Sequence, residues 1–221
     1  MKNYIKYLIS NYKIFRILYR QIIHIYKMFF YIIKYKVANP KLDIEKINKV
    51  IFIAHPDDEI LSMGNFIIKN SENMLVVSFT NGGNITRLNE FKSAMNALNI
   101  QYQMWNFVDA IDYKWNEKKV LKKINKILAL KEEWKMVITH NMEGDYGHFQ
   151  HKEVSRLVRK AYKGNNIFMP VSSKKLFEDK NKLKAKESKE KIEFFKNYYK
   201  SQKHILILYE KYFKFEKIIK Y

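Results

Sequence analysis

The feature that most constrains this chain is an apolar run, residues 50–54 (VIFIA), that passes directly into His55-Pro56-Asp57-Asp58-Glu59. A run this short and this apolar reads as a strand buried on both faces. One imidazole and three carboxylates crowd onto its end, and like charges beside a buried strand are costly unless a cation offsets them. Residues 74–79 (MLVVSF), 103–108 and 136–139 read as further buried strands, and residues 59–69, 86–98 and 115–133 read as helices between them. Strand alternating with helix at this spacing predicts a Rossmann-like, three-layer α/β/α fold with a mostly parallel sheet. In such a fold the active site lies at the carboxyl ends of the strands.

A second cluster follows the strand at 136–139, in Thr139-His140-Asn141-Met142-Glu143-Gly144-Asp145-Tyr146-Gly147-His148-Phe149-Gln150-His151. A helix starting here puts His148 and His151 on one face. Four of the six histidines therefore fall in two segments that the topology brings to one sheet edge. The chain has no cysteine, which excludes a disulfide framework, a thiolate metal site and a cysteine nucleophile. A zinc ion would have to sit on His and carboxylate, and a His/Asp/His set would leave a position open for water, as catalytic zinc requires.

At these residues the chain resembles the PIG-L/LmbE-like zinc-dependent N-deacetylases, which remove acetyl groups from N-acetylglucosamine units. The first family motif, a strand followed by (A/P)-H-P-D-D-E, is complete at residues 54–59. The second, approximately T-H-N-x-x-G-D-Y-G-H-P-D-H, matches residues 139–151, with Phe149 and Gln150 where Pro and Asp are common. Thr80-Asn81-Gly82-Gly83 with Arg87-x-x-Glu90 is similar to the family's T-x-G loop and R-x-x-E helix, and Ser201-Gln202 to a Ser-Gln element near the end of many members. The resemblance covers about residues 48–203.

It implies that His55, Asp58 and His151 bind one zinc ion, replaceable by another divalent transition metal. It further implies that Asp57 is the general base and that His148, protonated, stabilises the oxyanion or acts as acid. Tyr146, Arg87 and Asp145 are expected to contact substrate, although Arg87 pairing with Glu90 on its own helix is an equal reading. Loss of an acid at Gln150 is expected to touch only the support of a ligand. His140 is expected to close the strand or support the site, and Glu59 to start a helix. Asp109 and Asp112 either reach the sugar or are solvated in a loop.

The net charge of +20 would suit a nucleic-acid partner, but its distribution argues otherwise. Residues 1–42 hold +9 with no acid, residues 43–173 only +3, and residues 174–221 hold +8. The near-neutral middle and the lack of a nucleic-acid motif speak against a basic nucleic-acid-binding protein. In residues 1–38, Lys6, Lys13, Arg20, Lys27 and Lys34 recur every seventh position opposite a broad apolar arc that includes Ile5, Leu8, Phe15, Ile22 and Phe29. That pattern predicts an amphipathic helix lying on an anionic membrane surface, or packed on protein. Residues 39–47, with Pro40, read as a linker to a catalytic domain over 48–221. The chain is therefore expected at the cytoplasmic face of a membrane, acting on an N-acetylated amino sugar of a lipid-linked or surface-glycan precursor. Deacetylation of a soluble glucosaminide, as in small-thiol biosynthesis, is the alternative. Residues 174–200 read as one charged surface helix, and the apolar stretch 204–215 as core or a second membrane patch.

Overall fold

A computed structural model of the chain describes residues 22, 39–110, 113–179, 186–187 and 189–221. The expected helix over 1–38 lies outside the described residues except for Ile22, and so does Asp112. Among the described residues, no helix is long and apolar enough to cross a membrane.

The order is β1 (Lys49–Ile53), α1 (Asp58–Asn70), β2 (Met74–Thr80), α2 (Ile85–Ala97), β3 (Gln101–Phe107), α3 (Glu117–Leu128), β4 (Met136–Thr139), α4 (Phe149–Ala161) and β5 (Ile167–Pro170). Then come α5 (Ser173–Glu178), β6 (Lys186–Glu187), α6 (Lys189–Tyr198), a 3-10 turn (Lys200–Gln202), α7 (Lys203–Phe213), β7 (Phe215–Glu216) and β8 (Ile218–Lys220). The main sheet runs β3-β2-β1-β4-β5-β8. Its first five strands are parallel, and β8 closes one edge antiparallel to β5.

The strands are apolar throughout because both faces are covered. Ile51, Ile53, Val76 and Ile138 pack on one side against α1, α2, α6 and α7. Val50, Phe52, Leu75, Val77 and Val137 pack on the other against α3 and α4. The expected three-layer α/β/α fold is thus present. At the free edge, the Asn39 side chain bonds both the amide and the carbonyl of Met104 on β3, so the linker covers strand groups that would otherwise be open.

Two readings of the C-terminal region change. Residues 174–200 are not one surface helix: α5 and α6 are separate, and β6 pairs with β7 in a small sheet of its own. Nor does α6 lie wholly on the surface, since Lys191, Ile192 and Phe195 are buried. Leu206 and Phe213 of α7 enter the core, whereas Ile207 is exposed.

Helix α1 is kinked at Met63, which has φ −140° and ψ 15°. The C-terminal region fills the break. Lys191 Nζ donates to the Leu61 carbonyl at 3.1 Å, and the Glu216 carboxylate accepts the Asn65 and Phe66 amides at 2.9 and 2.7 Å. Lys191 and Glu216 pair at 3.1 Å. Gly64 is required here, because a Cβ on it would lie 2.8 Å from Lys191 Cβ.

Candidate metal centre and active site

Strands β1 and β4 are neighbours, with Phe52 opposite Thr139. They flank the point where the strand order reverses, so their carboxyl ends open the crevice in which α/β proteins place ligands. Both charged motifs leave from there. After β1 the backbone turns sharply, with Asp57 at φ 131°, and Asp58 starts α1 with its Oδ2 accepting the His55 amide at 2.7 Å. After β4 the turn passes through Gly144 (φ 76°), Asp145 (φ 62°) and Gly147 (φ 99°). A side chain at Gly144 would strike the His148 carbonyl at 2.6 Å.

Hydrogen bonds assign the imidazole tautomers. Gln150 donates its amide to the Val108 carbonyl, which leaves its Oε1 to accept from His55 Nε2 at 2.7 Å. His151 Nδ1 donates to Asp145 Oδ2 at 2.9 Å. The lone pairs therefore lie on His55 Nδ1 and His151 Nε2, and these two atoms face each other at 3.2 Å. Asp58 meets them with Oδ2 at 3.3 Å from His55 Nδ1 and Oδ1 at 3.2 Å from His151 Nε2. Two lone pairs and a carboxylate so placed need a shared proton or a metal cation between them. Atoms bound at roughly 2.0–2.1 Å to a tetrahedral Zn2+ stand about 3.3 Å apart, so the donor set fits such an ion.

The two remaining histidines of these motifs have other partners. His140 Nε2 accepts the Ala54 amide at 2.9 Å and its Nδ1 lies 2.6 Å from Asp145 Oδ2, so it has no lone pair to offer a metal. It stacks on His151 with ring centroids 4.0 Å apart and fixes that ring. His148 caps α4, its Nδ1 accepting the Gln150 amide at 3.3 Å, which leaves an Nε2–H as a donor. Burial and the nearby His151 and His55 push His148 down to about 4. This favours a neutral His148 with an Nε2–H to donate, where a protonated His148 was expected.

The carboxylates divide by environment. Burial alone would raise Asp58, but His151 and His55 hold it well below the usual range. Burial would likewise raise Asp145, yet His140 and His151 outweigh it and hold that carboxyl low. Asp57 goes the other way: burial lifts it to about 6 against the pull of Arg87. Glu59 is lifted to about 8 by burial, against the Tyr199 hydroxyl that donates to it.

Two expected substrate contacts are turned inward. The Arg87 guanidinium, 8% exposed, pairs with Asp57 at 3.0 Å, lies 3.5 Å from Glu90 and donates to the Pro56 carbonyl. Asp145 is buried, held by the Asn141 amide and by Ser172, and it orients both His140 and His151. Tyr146 remains at the surface, 42% exposed, with its ring centroid 5.3 Å from that of His151.

A family model described as PIG-L, GlcNAc-PI de-N-acetylase, matches residues 50–162, just over half of the chain. The chain belongs to the PIG-L family. An uncharacterized protein of Acanthamoeba polyphaga mimivirus is 35% identical over 129 residues, covering 51% of this chain and 57% of that protein. A conserved protein of Thermus thermophilus aligns at 17% identity with a TM-score of 0.43, covering 56% of this chain and 66% of its own. A deacetylase of the teicoplanin biosynthesis pathway aligns at 16% identity and 0.46, with the same coverages. This chain spans less than two thirds of each of these proteins.

Within this PIG-L chain, sequence reasoning missed the work of Gln150 and Asp109. Gln150 holds His55, where only the loss of an acid was foreseen. Asp109 reaches back from the loop after β3, with Oδ1 3.4 Å from His55 Nε2 and Oδ2 accepting from Asn81 at 3.0 Å. A signal existed for Gln150, since a polar residue one place before His151 in a helix start faces the same edge. For Asp109 the signal was its place after a strand end, which pointed to the sugar or to solvent and not to His55.

Proposed function

We propose that this protein is a metal-dependent N-deacetylase that hydrolyses the acetamide of an N-acetylated amino sugar, releasing acetate and a free amine. The observation that carries the reading is the convergence of His55 Nδ1, His151 Nε2 and the Asp58 carboxylate, both imidazoles being oriented by outer partners. These three residues would hold a divalent cation, which would supply a Lewis acid for the acetamide and lower the pKa of water. Asp57 takes a proton from the attacking water, its carboxylate aligned by Arg87. Neutral His148 directs its Nε2–H to the carbonyl oxygen as negative charge develops there. Asp57 then returns its proton to the departing nitrogen, so that water and amide become acid and amine. Tyr146, exposed beside His151, bonds the sugar in this reading.

The test is acetate release from an acetylglucosaminyl lipid and from a soluble acetamido sugar. Turnover is expected with Zn2+ and loss of it after chelation, restored by the metal. Turnover that survives complete chelation overturns the metal assignment.

Metal binding should also depend on pH. Burial draws His151 down, but Asp58 and Asp145 win and lift it to about 9. Burial likewise draws His55 down, but Asp58 and Asp109 lift it well above the usual imidazole range, so the metal-free pair holds at least one proton that the cation must displace. Zn2+ affinity is expected to rise at least about tenfold per pH unit from neutral pH towards pH 9, a slope titration calorimetry at several pH values would measure.

For substrate location, the basic amphipathic pattern of residues 1–38 supports a lipid-linked sugar at an anionic membrane face. Deleting those residues is expected to abolish binding to vesicles containing anionic lipid while leaving hydrolysis of the soluble sugar intact. Unchanged vesicle binding overturns the membrane assignment.

A further inference from the structure

Asp57 sits at φ 131°, a backbone conformation that L side chains rarely adopt, and such strain persists only where its surroundings hold it. Two lines of contact hold it. The Asp57 amide donates to Glu59 Oε2 at 3.0 Å, and Glu59 Oε1 receives the hydroxyl of Tyr199, a residue 140 positions away that is 0% exposed. The Asp57 carboxylate is held by Arg87, which pairs with Glu90. Glu90 in turn receives the Ser201 amide and hydroxyl, each at 2.7 Å. The Arg87 guanidinium also lies over the Tyr199 ring, 6.0 Å from its centroid. Both lines end in one short segment, Tyr199 to Ser201, beyond the region matched by the family model.

We propose that Tyr199, acting through Glu59, is a positioning residue that keeps the strained Asp57 backbone in its working geometry, so that the C-terminal region completes the catalytic centre. The kinetic part rests on the deacetylase reading; the conformational part does not. Tyr199 touches no reacting atom. Its hydroxyl fixes the Glu59 carboxyl, Glu59 fixes the Asp57 amide, and the direction of the Asp57 side chain follows from that amide. Because one segment supplies both lines, backbone and carboxylate of Asp57 are set together.

The experiment measures residue-resolved amide exchange at Asp57 by NMR in the full chain, for wild type, Tyr199→Phe and Glu59→Gln. Phenylalanine keeps the buried ring and removes only the hydroxyl. Glutamine keeps an oxygen for the Asp57 amide. Exchange at Asp57 is expected to quicken by about tenfold or more in Tyr199→Phe and by less in Glu59→Gln, with amides of β1 and β2 unchanged. In acetate release, Tyr199→Phe should lower kcat about tenfold or more at unchanged KM and unchanged bound metal. In an Asp57→Asn background it should cost nothing further, because it acts through Asp57. Unchanged exchange at Asp57 overturns the brace, as does an equal loss of kcat in both backgrounds. If even wild type releases no acetate, the deacetylase reading fails while the exchange data still decide the brace.

Discussion

Replacing Asp57 with Asn is expected to lower kcat for acetate release by about 10²- to 10⁴-fold while leaving one metal ion bound per chain. Asparagine keeps the size of the side chain and an oxygen for Arg87, so fold and metal donors stay in place, but it cannot accept a proton at neutral pH. The pH profile should change with it. Asp57 is lifted to about 6 by burial, with Arg87 opposing, and the reaction needs the ionised form. Wild-type kcat/KM is therefore expected to fall as pH drops through about 6, or lower still where the bound cation adds its charge, and this acid limb should be missing from the residual activity of Asp57→Asn. Asp58→Asn is the contrasting variant: it removes a charged donor from between His55 and His151 and should reduce metal content itself. Equal metal loss in both variants would erase the distinction between base and donor; undiminished turnover in Asp57→Asn would remove Asp57 from the chemistry.

That distinction between adjacent carboxylates was only partly legible in the sequence. The strands were, because β1, β2 and β4 are apolar enough to declare burial on both faces without help from their neighbours. The gathering of His55, Asp58, His148 and His151 followed from placing two motifs at the carboxyl ends of strands that the topology makes adjacent. The partners that give each residue its character were not readable. Arg87 has an obvious partner three residues along its helix in Glu90, but its closer tie to Asp57 spans two crossovers. His140 was expected to close the strand or support the site, but the Ala54 amide that occupies its lone pair lies at the end of the neighbouring strand and could not be named from the sequence. Strand β5 is short and has half-buried residues at its centre, so its run carries neither the length nor the apolarity of a central strand. The split of residues 174–200 into two helices depends on β7 coming back to pair with β6, a contact of high sequence separation that no local period encodes.

The same return of the chain sets the largest expected stability effect. Substituting Glu216 by Leu should destabilise the protein by about 3–5 kcal/mol, the usual cost of stranding one partner of a buried ion pair. Its carboxylate, 4% exposed, both neutralises Lys191 and accepts two amides at the start of the second half of α1, where the kink at Met63 has broken the helix ladder. Leucine fills the volume but offers no acceptor and leaves a buried ammonium beside the Leu61 carbonyl. Substituting Lys191 by Met should cost less, about 1–3 kcal/mol, because the Glu216 charge keeps its two amide donors and methionine keeps the packing against Gly64. Urea unfolding of both variants, read at constant m-value, measures the two losses. Equal losses would mean that the ion pair alone matters and that capping of the broken helix contributes nothing. A larger loss for Glu216→Leu means that the C-terminal strand splices α1 from outside, so the helix that begins with Asp58 keeps its direction only while residues 189–216 are docked.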